Sequence, residues 1–323
     1  MGTVYSAVHS VIDKRVALKV LRRELCAKPS FVSRFVKEAR ATNRIGHPNI
    51  VDVFGFGVTH DGRAYLAMEL LDGQSLCARI KAGDLSVDET SGIAIEISHA
   101  LEAAHGRDIV HRDLKPENVF LANIHGRSVV KLLDFGIAKL NVINGTSNLT
   151  QPGTMMGTPM YIAPEQARGD TVDGRADIYA LGVMLFEMLV GRPPFVADNA
   201  LELIACHLTE EPPVPSSLEP RLPLSADRLL AMMLAKEPAG RPTLPEVRAT
   251  LEKIRIESGL GESGITNHKR LRAPDAAAID PGTTAEWLAS IQPRRPLTMI
   301  LLGLLALTIG FTLVVKLLPY FVR

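Results

Sequence analysis

Strand-like patterning is confined to about the first 80 residues of this chain, and helical patterning runs from about 84 to 255. That segregation limits the fold more than any other feature, because strands followed by helices belong to α+β architectures. Val16–Leu21 (VALKVL) and Ala64–Leu71 (AYLAMELL) read as strands, while Phe31–Ile45 places Phe31, Phe35 and Ala39 on one helical face. The later part reads as mostly helical, with a loop-rich middle over 111–165. Helices there are expected to stop at Gly-Arg-Pro-Pro (191–194) and Gly-Arg-Pro (240–242), since proline cannot continue them. Ile178–Val190 is apolar apart from Glu187 and too short to span a bilayer, so it reads as a core helix. No internal repeat is visible.

Composition narrows the setting. The 36 basic and 35 acidic residues leave a net charge of +1, which gives no electrostatic case for a nucleic-acid partner. Cys26, Cys77 and Cys206 stand far apart, which suits a reducing compartment and fits neither a disulfide framework nor a zinc site. No basic-then-apolar signal segment opens the sequence, so the folded part is expected in the cytoplasm. The other end differs: Leu297–Val315 runs nineteen residues without a charge or proline. At ~1.5 Å per residue that is roughly 28 Å, close to the hydrocarbon thickness of a bilayer. The chain therefore divides into a folded part (1–255), a Gly/Ser/Ala/Asp/Pro-rich juxtamembrane linker (256–296), a transmembrane helix (297–315) and a short tail (316–323). A basic run at 268–272 (HKRLR) is either a weak contact with anionic lipid or solvated surface. Arg294 and Arg295 before the span, and Lys316 and Arg323 after it, are too even to orient it.

The chemistry-bearing residues lie in the middle. His111-Arg112-Asp113-Leu114-Lys115-Pro116-Glu117-Asn118 is followed by Asp134-Phe135-Gly136 and then Ala163-Pro164-Glu165. On these motifs the sequence resembles the bacterial eukaryotic-like (Hanks-type) serine/threonine protein kinases, many of which carry one membrane span. The resemblance covers residues 2 to about 255 and implies the bilobal α+β kinase fold, with a small β-rich lobe and a larger helical lobe. It implies ATP and Mg²⁺ as cofactors, cytoplasmic proteins as substrates, and homodimers for autophosphorylation. Because ATP is cytoplasmic, it also implies a single-pass protein of the cell membrane with the kinase inside and lipid contact through the C-terminal helix.

By that resemblance Asp113 accepts the proton of the substrate hydroxyl, and Lys115 neutralises the γ-phosphate. Asn118 and Asp134 hold Mg²⁺ through hard oxygen ligands. Lys19, in Val16-Ala17-Leu18-Lys19, grips the α- and β-phosphates and pairs with Glu38 on the amphipathic helix. Met68 stands as gatekeeper, the backbone of Glu69 and Leu71 meets the adenine, and Ala17 and Phe120 cover its two faces. Thr158 contacts the catalytic Asp and Lys. Thr150 and Thr154 fall where such kinases are phosphorylated, with Arg112 and Lys139 as the basic pocket for the phosphate. Asp177 holds the catalytic loop, and Arg241 pairs with Glu165.

The match is incomplete at one place. The family's phosphate loop reads G-x-G-x-x-G-x-V after a strand, whereas here Gly2 and Val4 stand as its last glycine and its valine. The first strand and two glycines are absent, which is expected to leave a sheet edge unpaired. Either the start lies upstream or half the lid is missing, and two readings follow: an active Mg-ATP-dependent kinase, or a membrane-tethered pseudokinase or scaffold with an incomplete lid.

Overall fold

The computed structural model describes residues 2–9, 13–83, 85–135, 159–259 and 291–293. A five-stranded antiparallel sheet forms the first lobe from β1 (Gly2–His9), β2 (Arg15–Leu21), β3 (Val53–Val58), β4 (Ala64–Glu69) and β8 (Ile291–Pro293), in the order β3-β4-β2-β1-β8. β2 lies inside this sheet, and its six residues after Arg15 are all buried. The two-residue period of a strand sorts them by face. Val16, Leu18 and Val20 pack with Ala7, Tyr65 and Ala67 on one side. Leu21 packs on the other with Leu66, Ala64 and the helix residues Phe35 and Ala39. Lys19 shares the parity of Leu21 and therefore faces the helix.

After the short turn α1 (Arg23–Cys26), that helix is α2 (Pro29–Ile45). It opens on a proline at its first position and closes on Gly46, whose φ of 58° is the left-handed conformation that helix ends favour. Its buried stripe is Phe35, Glu38, Ala39, Thr42 and Ile45, so a carboxylate sits inside a mostly apolar face. Phe31 is only partly covered.

A second sheet, β5 (Gly73–Ser75), β6 (Val119–Ile124) and β7 (Arg127–Leu132), joins the lobes. β6 and β7 form a hairpin through His125 and Gly126, with φ of 52° and 77°. Two left-handed residues match the twist of a hairpin. The loop-rich expectation for 111–165 is thus corrected: its first part carries this hairpin. The loop after α2 is sewn to it, with Leu132 N–H donating to Asn49 O at 2.8 Å and Val51 N–H to Leu132 O at 2.9 Å.

The helical lobe contains α3 (Leu76–Lys81), α4 (Val87–His105), α5 (Pro164–Arg168), α6 (Arg175–Val190), α7 (Ala200–Thr209), α8 (Pro215–Leu218), α9 (Leu224–Met233) and α10 (Leu244–Glu257). α6 is its axis: every residue from Ala176 to Phe186 is buried, as the apolar run predicts, and it stops at Val190 before Gly191. Gly182 permits the contact with the end of α9, since a Cβ there would lie 2.9 Å from Met233 Cβ. Among the described residues no helix is long and apolar enough to cross a membrane, and the span expected at 297–315 lies outside them.

At the outer edge of β1 the expectation of an unpaired sheet is corrected over Ala7–His9 only. β8 runs antiparallel there, with Ala7 opposite Pro293, Val8 opposite Gln292 and His9 opposite Ile291.

Candidate active site

Asp177, in the first turn of α6, is 1% exposed and organises the loop that carries Asp113. Its Oδ2 accepts the His111 N–H at 2.8 Å, and its Oδ1 accepts the Arg112 N–H at 2.8 Å. His105, at the end of α4, places Nε2 2.8 Å from the same Oδ2. Held this way, Arg112 adopts φ 63°, a left-handed conformation that a long L-residue enters only when its surroundings impose it. From the other side Gln166 Nε2 donates to Arg112 O at 3.0 Å. The reversal points the next residue, Asp113, away from the core.

Asp113 stands among polar groups. Lys115 Nζ lies 3.3 Å from its Oδ2, and Asn118 Nδ2 donates to its carbonyl at 2.8 Å. Asn118 is in turn tied to the strand that delivers Asp134, because Leu133 N–H donates to Asn118 O at 2.9 Å. With its NH₂ committed to Asp113, Asn118 has its side-chain oxygen left as an acceptor. Together with the half-exposed Asp134 carboxylate this is a hard-oxygen donor set, the chemistry Mg²⁺ takes.

Lys19 reaches down from the sheet lobe to Asp134, Nζ to Oδ2 at 2.5 Å. The ion pair expected with Glu38 is therefore not the one made here, although Lys19, Glu38, Thr42, Leu66, Met68, Asp134 and Phe135 line one cavity. That cavity measures about 20 Å³, room for about one water, so it is a deep recess behind Met68 rather than a nucleotide's seat. Ala17 pairs across the strands with Met68. Glu69 gives its N–H to Asp52 O at 2.9 Å, accepts from Lys131 on its carboxylate at 2.7 Å, and pairs with Val16 across the strands. Leu71 is partly buried just beyond β4. Phe120 pairs with Ser75 and Lys131 in the second sheet and does not line the recess. Val4 pairs with Lys19 on β2 and is 56% exposed, and Gly2 lies so close to β2 that a Cβ would collide with the Val20 carbonyl oxygen. Gly136, Lys139, Thr150, Thr154 and Thr158 lie outside the described residues.

Sequence reasoning missed several supports. His111 is fully buried, with its ring 4.6 Å from that of Phe135. Burial pushes its imidazole below the usual range although Asp177, Asp113 and Asp134 pull it upward. His105 and Gln166 were equally invisible, because each acts on a partner more than fifty residues away. Arg112 is partly desolvated, which lowers its guanidinium below the usual range against the pull of Asp177. Its Nε is buried without a hydrogen-bond partner among the described residues. Further out, and as the resemblance implies, Arg241 makes a bidentate pair with Glu165, at 2.6 and 2.8 Å, with both side chains at least 96% buried.

A carboxylate presented by a left-handed turn, a second carboxylate beneath a strand lysine, and a bridging asparagine together define a two-lobed phosphotransferase cleft. The sequence matches the protein kinase domain over residues 1–251, and the chain belongs to the protein kinase family. Its relatives include serine/threonine-protein kinase Pkn1 of Myxococcus xanthus, 45% identical over 242 residues, 75% of this chain and 34% of that one. Pkn3 of the same organism is 41% identical over 79% of this chain and 48% of its own. PknA of Mycobacterium tuberculosis is 40% identical over 75% of this chain and 55% of its own. The chain thus spans about a third to a half of the length of these relatives. Among solved structures, a point mutant of the Mycobacterium tuberculosis PknI kinase domain matches with a TM-score of 0.59 and 31% identity, over 78% of this chain and 90% of that one.

Proposed function

We propose that this chain is a Mg-ATP-dependent serine/threonine protein kinase that phosphorylates itself and then cytoplasmic proteins. The observation that carries the reading is the buried Asp177, whose two carboxylate oxygens force the turn at Arg112 and so present Asp113 beside Lys115 and Asn118. Asp113 orients the substrate hydroxyl and takes its proton as the oxygen–phosphorus bond forms and the bond to ADP breaks. Lys115 faces the charge of the transferred group, and Lys19 that of the α- and β-phosphates. Asn118 and Asp134 hold Mg²⁺, which when bound offsets phosphate charge. The pseudokinase or scaffold reading rests on the incomplete glycine loop, and the similarity to serine/threonine kinases does not favour it.

Regulation fits the same residues. The desolvated Arg112, with a buried N–H lacking a partner among the described residues, suits a phosphate on Thr150 or Thr154, with Lys139 contributing. Thr158 is assigned to the same site on its Gly-Thr-Pro motif alone, and autophosphorylation proceeds in a homodimer. The uncharged run 297–315 anchors the kinase at the cell membrane, with the folded part on the cytoplasmic side. Asp113→Asn tests the central claim: incorporation of labelled phosphate into Ser or Thr should fall by about three decades, roughly 4 kcal/mol of barrier. Unchanged labelling would refute the role of Asp113.

A further inference from the structure

We propose that residues 291–293 are a built-in edge strand for the nucleotide lobe, so that the tail of this chain sets the order of the strand carrying Gly2 and Val4. This goes beyond the kinase reading, and only its consequence for ATP rests on that reading. The outer edge of β1 is covered by described residues at three positions only, Ala7, Val8 and His9, all facing β8. Burial along β1 changes at the same place: Thr3 to Ser6 are exposed, whereas Ala7 and His9 are 1% and 2% exposed. An open strand edge is a template for any extended segment, and main-chain pairing needs no particular side chains.

Two features suit Ile291–Pro293 as the occupant. Pro293 has no N–H, so it is tolerated at an edge and ends the ladder, which keeps the pairing short and reversible. The segment is also tethered. Thirty-one residues (260 to 290) separate it from the end of the helical lobe at Gly259. At ~3.3 Å each they reach up to about 100 Å, ample for a domain of radius of gyration ~18 Å. Tethering gives a weak strand an effective concentration on the order of millimolar, enough to hold a pairing that a free tripeptide would not keep.

The position makes the pairing consequential. β1 sets Val4 against Lys19 and Gly2 against Leu21, so a restrained β1 restrains the roof over Lys19. Only three residues, 294 to 296, separate β8 from the uncharged run that starts at Leu297.

The experiment uses the full chain in detergent and compares it with Ile291→Pro/Gln292→Pro, which leaves β8 with no N–H at all. Hydrogen exchange of the peptide spanning β1 should be at least tenfold faster at Ala7–His9 in the variant, while peptides from α4 and α10 stay as protected as in the parent. A synthetic 288–296 peptide at millimolar concentration should restore the protection. Equal β1 exchange in parent and variant would overturn the proposal. Protection in the parent that disappears on dilution would overturn it too, because the strand would then come from a second copy. The KM for ATP should rise several-fold in the variant with kcat little changed. Faster exchange without labelling activity in either protein would support the strand while failing the kinase reading.

Discussion

Replacing Asp177 by Asn keeps the volume of the side chain and removes one of its two acceptor oxygens. In the parent, Oδ2 serves the His111 N–H and the His105 ring, and Oδ1 serves the Arg112 N–H, all at 2.8 Å. An amide can satisfy one side; its NH₂ then confronts a donor on the other. At least one buried N–H loses its acceptor, at about 1–3 kcal/mol, and the left-handed Arg112 loses part of what holds it, at a further 1–2 kcal/mol or so. Asp177 is 1% exposed, so no solvent softens the loss. A total of about 2–5 kcal/mol corresponds to a fall in Tm of roughly 5–15 °C for a domain of this size. Activity should fall further than stability, because a displacement of Asp113 by about 1 Å costs on the order of a hundredfold in rate. Calorimetry and phosphate incorporation, each well below the Tm of both proteins, read the two effects separately. His105→Ala is the control, since it removes a ring contact and leaves both backbone acceptors: about 1 kcal/mol and a few-fold in rate. An Asp177→Asn protein with the parent's Tm and rate would refute the claim that this carboxylate builds the loop.

His207 supplies a pH dependence. Burial, helped by Lys236, holds its imidazole down to about 4 against an ordinary 6.5. The unfolded chain therefore binds the proton first, and stability present above pH 6.5 is lost as pH falls towards 4, by about (6.5 − 4) × 1.36, or roughly 3 kcal/mol. His207→Gln should flatten that part of the urea-unfolding profile, and an unchanged slope would exclude His207 as its source. Thr150→Ala with Thr154→Ala should lower labelling at least tenfold, with phosphate mapping to one of the two in the parent; full activity in the double variant would refute the switch. Removing residues 297–323 should move the protein from the membrane to the soluble fraction, and its retention with the membrane would mean that another segment anchors it.

What the sequence made legible depended on whether a signal was local. His111–Asn118 and Asp134–Phe135 are contiguous, and the structure brings Asp113, Asn118 and Asp134 to neighbouring positions through the 118–133 backbone bond. The α6 core helix announced itself by a run apolar but for Glu187 and by a terminal glycine. The β6–β7 hairpin was legible only in hindsight from His125-Gly126, a turn pair able to take φ above zero in a stretch otherwise read as loop. Gln166, His105 and the Phe135–His111 contact leave no local trace, since each depends on a partner placed by tertiary packing. The pairing of β8 is the extreme case: three residues with no periodicity, meeting a strand 282 positions earlier (291 − 9).

The Lys19–Asp134 pair shows why motif order identifies residues better than it identifies their partners. Lys19 is fixed by strand parity to face α2, and its side chain is only 10% exposed, so the ammonium must find an anion nearby. Glu38 lies in the same recess, yet the pair is made with Asp134, which is half-exposed and follows β7 in the hairpin sheet. A lysine can serve both a carboxylate and phosphate oxygens, but a carboxylate holding a cation at 2.5 Å has one oxygen fewer for a metal. On the proposed Mg-ATP reading, Lys19 would move towards phosphate as Asp134 turns to metal, and Glu38 is the buried carboxylate lining the recess that could balance Lys19 there. Glu38→Gln keeps the shape of the side chain and removes its charge, turning one acceptor oxygen into a donor. It should accordingly raise the KM for ATP by about tenfold or more while leaving the apo Tm within about 2 °C. A large drop in apo Tm with unchanged KM would show that Glu38 serves the fold and not the exchange of partners.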